Sequence, residues 1–113
     1  MNRKLLCLLL FLIILTVASC TKQGQQQYLI TQDNVKIAYN FTKGGDIGFL
    51  LLHQLGSNRS AYNAFYDSLV LKNYSVIAID FRGNGESDLD YNNFTEKDWK
   101  KLILDVQAAR DFL

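Results

Sequence analysis

Two short stretches hold residue types that could do chemistry: His53-Gln54-Leu55-Gly56, and Asp80-Phe81-Arg82-Gly83-Asn84-Gly85-Glu86-Ser87. A histidine, carboxylates and hydroxyls are the ingredients of acid–base and covalent catalysis, provided that a nucleophile and a base lie within hydrogen-bond reach. His53 is the sole histidine, and no spacing in the chain pairs it with a nucleophile and a third, orienting group. Asp80 closes an apolar run and is well placed to accept backbone N–H bonds. Arg82 offers a planar five-donor fork that ties a loop together through carbonyls or a carboxylate. Gly83 and Gly85 let the chain turn sharply off a strand. Glu86 reads as a solvated loop residue.

The elements that must position these loops are legible from periodicity. Ile47 to Leu52 is an apolar run without polar alternation, as in a strand buried on both faces of a parallel sheet. Tyr74 to Ile79 is equally apolar and rich in branched residues. Between them, Ala61 to Leu71 carries Tyr62, Phe65, Tyr66 and Leu69 at helical spacing, which makes the unit βαβ. Both loops then fall at the carboxyl ends of parallel strands, where open α/β sheets place their ligand sites. Upstream, Tyr28 to Phe41 reads as a hairpin around Asp33-Asn34, with Asp33 a turn residue. Its second arm alternates Val35, Ile37 and Tyr39 with Lys36, Ala38 and Asn40, which predicts a half-exposed strand at the sheet edge. Lys43-Gly44-Gly45-Asp46 is a surface turn. Downstream, Thr95 and Asp98 mark a capped helix start. Trp99, Leu102, Ile103, Val106, Ala109 and Leu113 form its apolar stripe, with Lys100, Lys101, Asp105 and Asp111 off it.

Taken together, the two loops and the helix between them resemble the N-terminal half of an alpha/beta-hydrolase. In that family a strand ends in His-Gly and an apolar residue, and the next parallel strand ends in Asp-x-Arg-Gly-x-Gly-x-Ser. Asp80, Arg82, Gly83, Gly85 and Ser87 match the second pattern in full. Asp105-Val106-Gln107-Ala108-Ala109 is similar to the helix that precedes the nucleophile strand. The likeness runs from about Tyr28 to Leu113 and is nearest to the lysophospholipase, serine aminopeptidase and dienelactone-hydrolase group. It implies an α/β fold made of an edge β-hairpin, a βαβ unit and a further helix. It also implies a serine hydrolase acting on esters or amides of small or lipid-like substrates, without a cofactor or metal. By the same resemblance the backbone N–H of Leu55 is one of two donors of an oxyanion hole. His53 sits beneath that loop and holds its shape, beside Gly56, and Asp80 is structural. The family usually has glycine where Gln54 stands; a left-handed backbone there would cost Gln54 about 1 kcal/mol.

The start of the chain points outside the cytoplasm. Met1 to Lys4 is short and positive, and Leu5 to Ala18 is an apolar run, too short for the roughly 20 residues that a membrane span needs. Residues 1–19 therefore read as an export signal. Val17-Ala18-Ser19-Cys20 resembles a bacterial lipobox, which implies cleavage before Cys20 and acylation of its thiol. The expected location is the cell envelope, anchored by lipid on the exported side of a membrane, with residues 20–27 a polar tether to a domain at 28–113. Neither cysteine lies in that domain, so no disulfide framework or thiolate-metal site is available there.

Charge and glycine spacing exclude other classes. The chain has 12 basic and 11 acidic residues, and Arg3 and Lys4 leave with the leader. No basic stripe remains to support nucleic-acid binding. Three spaced glycines of a dinucleotide cradle are absent after the Ile47 strand. No serine follows Ser87, so no Gly-x-Ser-x-Gly elbow is present among these residues, and no later histidine or acid completes a triad. The sequence is expected to be inactive by itself, as an N-terminal piece of a hydrolase. A different reading is a non-catalytic lipoprotein domain that packs on a protein partner.

Overall fold

The computed structural model describes residues 25–113. The export signal, Cys20 and the tether as far as Gly24 lie outside the described residues. Four strands form one sheet: β1 (Gln27–Ile30), β2 (Lys36–Thr42), β3 (Gly48–Leu52) and β4 (Ser75–Ile79). Their order is β1-β2-β4-β3. The hairpin pairs antiparallel, β2 pairs antiparallel with β4, and β3 runs parallel to β4 with Leu52 level with Ile79. The connection from β3 to β4 is a 3-10 turn (Arg59–Tyr62) followed by helix α1 (Asn63–Leu71). After β4 come a glycine-rich loop, a second 3-10 turn (Tyr91–Asn93) and helices α2 (Glu96–Lys100) and α3 (Leu102–Phe112).

Alternation along β3 and β4 sends side chains to two faces. Ile77 and Ile79 join Leu29, Ile37, Tyr39 and Ala109 on one face, with Leu50, Leu52 and Phe81 against them. Val76 and Ala78 join Leu51 and Leu69 on the other, flanked by Phe49, Tyr62, Tyr66 and Val70. The sheet is therefore covered by α3 on one side and α1 on the other, a three-layer α/β arrangement. Val76, Ile77 and Ile79 are completely buried. Each such side chain contributes about 1.5–3 kcal/mol of hydrophobic stabilisation.

Two strand assignments change places. β2 is an interior strand, paired with β1 along one edge and β4 along the other, and Ile37, Ala38 and Tyr39 are all buried. β3, expected to be buried on both faces, is an edge strand among the described residues and is fully buried only at Leu51. The sheet also starts one residue early, with Gln27 paired to Tyr39. Helix α1 stops where Asn73 takes a left-handed φ of 62°. The N–H of Asn73 then reaches the Val70 carbonyl at 2.9 Å, and that of Tyr74 reaches Leu69 at 3.2 Å. This is the Schellman arrangement, in which asparagine tolerates the left-handed position.

The helical stretch after Thr95 is divided at Lys101 rather than continuous. Its capping box is formed, with the Asp98 carboxylate accepting from the Thr95 N–H at 2.9 Å and hydroxyl at 2.6 Å. These bonds, the hydroxyl first, hold the Asp98 carboxyl below its ordinary range. Ile103 and Leu113, expected on the apolar stripe, are exposed, whereas Asp105 is completely buried. Asp105 lies three residues after Leu102 and four before Ala109, so helical spacing puts it on the inner face despite its charge.

Candidate active site at the carboxyl ends of β3 and β4

The loop after β3 is a tight turn braced from below. Ser57 N–H donates to the Gln54 carbonyl at 3.1 Å, and Gly56 has φ 74°. A left-handed third residue is what a type II turn requires, and glycine supplies it without strain. Gln54 is not left-handed, so the strain anticipated there is absent. Leu55, the second residue of the turn, is 67% exposed, and its N–H meets no acceptor among the described residues. His53 is buried beneath the turn. Its Nε2 accepts the Phe81 N–H at 3.0 Å, which leaves the ring proton on Nδ1 to be donated to the Gln54 carbonyl at 2.7 Å. Both ring nitrogens are thereby committed to joining the two loops.

The loop after β4 wraps around Asp80. Its carboxylate accepts the N–H of Arg59 at 2.6 Å and that of Glu86 at 2.9 Å, and pairs with the Arg59 guanidinium. Arg59 also reaches Glu86 at 2.5 Å, Asn40 at 3.1 Å and Gln26 at 2.7 Å. Gly85, with φ 53°, lies so close that a Cβ there would strike the Asp80 carboxylate. A Cβ on Gly83, with φ 80°, would fall 2.6 Å from the Tyr91 nitrogen. Ser87 closes the loop back onto the sheet: its hydroxyl donates to the Asp80 carbonyl at 2.6 Å and accepts the Ala38 N–H at 2.8 Å.

On the opposite side, Arg82 is buried and satisfied by two carboxylates. It donates to Asp105 through Nε at 2.8 Å and to both oxygens of Asp33 at 2.8 and 2.9 Å. The Asp105 carboxylate also takes the Arg82 N–H at 2.8 Å. Burial pushes the Asp105 carboxyl up against the opposing pull of Arg82. The hydrogen bond from Arg82 holds the Asp33 carboxyl well below the usual carboxylate range. Burial works against the charge of Arg82, but Asp33 and Asp105 outweigh it and raise its pKa further. Asp33 is thus more than the turn residue that its position suggested.

Between the two loops lies a cleft of about 330 Å³ lined by His53, Leu55, Phe81, Asn84, Trp99 and Leu102. Sequence reasoning reached His53 and Leu55 but not Trp99 and Leu102 as lining residues, nor Arg59 as the partner of Asp80. Those contacts join residues 15 or more positions apart and leave no local signal. The serines do not complete a catalytic set among the described residues. Ser75 bonds Gly44 and Gly45, Ser68 bonds the Phe65 carbonyl, and Ser60 bonds Asn58. None bonds His53.

This arrangement recurs in solved structures. An esterase from Pyrococcus furiosus superposes with a TM-score of 0.67 at 30% identity, over 79% of this chain and 34% of that one. The described residues have an alpha/beta-hydrolase-like partial fold. An esterase from Exiguobacterium antarcticum (TM-score 0.64, 22% identity) shares this alpha/beta-hydrolase architecture over 75% of this chain and 30% of its own. So does the bottromycin epimerase BotH (TM-score 0.60, 21% identity, 75% and 33%), which shows that the fold alone does not name a reaction. The chain spans about a third of the length of these structures. No protein-family model and no curated protein sequence matches it.

Proposed function

We propose that these residues form the oxyanion-loop side of the active site of a serine hydrolase that cleaves small ester or amide bonds. The observation that carries this reading is the turn after β3, which presents the unengaged N–H of Leu55 at the rim of an apolar cleft. A preorganised N–H in a water-poor site stabilises the negative charge that develops on a carbonyl oxygen under attack. His53 fixes the height of that turn against the Phe81 backbone, and Gly56 gives it its direction. Asp80, Arg59 and Gly85 hold the shape of the loop after β4. The serine nucleophile and its histidine and acid would stand on elements beyond β3 and α3. Export and lipid attachment at Cys20 belong to the same proposal and rest on the Val17-Ala18-Ser19-Cys20 motif.

Leu55→Pro isolates the donor. Proline is favoured at the second position of a type II turn, so the substitution removes the N–H while keeping the turn. In the native hydrolase that carries this chain, kcat for an ester substrate should fall by about 10²–10³ with little change in KM. An unchanged kcat, or a loss confined to KM, would refute the oxyanion role.

A further inference from the structure

Two residues lining the cleft carry a free hydrogen-bond donor. The backbone N–H of Leu55 meets no acceptor among the described residues. Trp99 borders the same cleft, and an indole N–H donates but cannot accept. Phe94 meets the Trp99 ring edge-on, with centroids 5.0 Å apart, which fixes the indole in place. Its N–H has no partner among the described residues. The one enclosed side-chain nitrogen or oxygen left unpartnered there is Asn84 Oδ1, so the indole nitrogen of the half-buried Trp99 is open to a ligand. No lining side chain offers an open acceptor to match. Both His53 nitrogens are engaged, Asn84 Oδ1 is closed off, and Leu55, Phe81 and Leu102 present apolar side chains.

We propose that Trp99 is a specificity residue, its indole N–H donating to an oxygen of the substrate other than the scissile carbonyl. The proposal rests on the reading of this cleft as a hydrolase's substrate cleft, and narrows it to a substrate class. That class is a small ester or amide with a further carbonyl or ether oxygen a few bonds from the carbonyl under attack. A cleft of about 330 Å³ is at the small end of ligand sites, so both oxygens belong to one compact group rather than to a long acyl chain. A substrate without the second oxygen would strip water from the indole N–H and leave it unpaired. Sites built to bond a polar group discriminate against analogues that lack it.

Trp99 is the only tryptophan, so the ¹⁵N-labelled full chain gives a single indole N–H resonance. The probes are methoxyacetone and pentan-2-one, ketones of the same heavy-atom shape that a hydrolase does not cleave. Only methoxyacetone has a second acceptor oxygen. Both should move the Leu55 amide resonance, and methoxyacetone alone should move the indole proton. Trp99→Phe keeps an aromatic ring beside Phe94 without the donor. It should weaken methoxyacetone about threefold to tenfold and leave pentan-2-one within about twofold. The indole measurement needs no variant, so it decides the matter even if Trp99→Phe fails to fold. An indole proton that methoxyacetone leaves still, equal movement with both ketones, equal losses of affinity in Trp99→Phe, or no binding of either probe would each overturn the proposal. An indole that responds to methoxyacetone alone beside an unmoved Leu55 amide would support Trp99 and count against the oxyanion reading. The two failures are thus separate results.

Discussion

Arg82 joins three parts of the chain that are far apart in sequence: the β1–β2 turn through Asp33, the loop after β4 through its own backbone, and α3 through Asp105. Removing one partner of a buried ion pair leaves the other charge uncompensated. Arg82→Met should therefore cost about 3–5 kcal/mol in urea unfolding. The two carboxylates respond oppositely to acid. Asp33 has its pKa depressed by Arg82, so its contribution is complete above its ordinary value of 3.8 and is lost as pH falls through the depressed value. Asp105 has a raised pKa, so its effect on stability declines as pH rises through that value. Asp33→Asn should thus lower stability near neutrality and narrow the difference between urea midpoints at about pH 7 and about pH 3. A difference as wide as in the parent would remove Asp33 from the acid response. At this scale the sequence disclosed residue types but not partners: Arg82 was readable as a fork, whereas neither of its carboxylates could be chosen across separations of 23 and 49 positions.

Elements were more legible than their neighbours. The hairpin, the βαβ unit and the capped helix follow from local periodicity and turn chemistry, and β3 and β4 pair in parallel as their apolar runs imply. Which strand lies at the edge depends on a partner arriving later in the chain. The alternation in β2 therefore suggested an edge, although β4 covers it. The end of α1 offers a test at this level. Asn73 holds a left-handed φ of 62°, so Asn73→Ala should cost about 1 kcal/mol, and Asn73→Gly should cost little or be favourable. Equal stability of the alanine and glycine variants in thermal unfolding would show that backbone conformation at residue 73 is not what ends the helix.

For the whole molecule, the sheet presents two loops at the carboxyl ends of β3 and β4, with the cleft between them and, among the described residues, the unpaired edge of β3 alongside. The fold was legible because strand-end glycines and charges recur with their spacing. The cleft lining was not, because α2 and α3 contribute Trp99 and Leu102 from a separate part of the chain. The anchor is tested by Cys20→Ser, which should leave the precursor uncleaved and unlabelled by radioactive palmitate; labelling equal to the parent would end the lipoprotein proposal. The hydrolase proposal itself is tested by treating native membranes with a fluorophosphonate probe. The polypeptide captured by an antibody to residues 25–113 is then digested and its labelled peptide identified. The predicted result is one labelled serine outside these residues, with Ser57, Ser60, Ser68, Ser75 and Ser87 unlabelled. Label on any of those five, or a captured polypeptide that takes no label, would contradict the account.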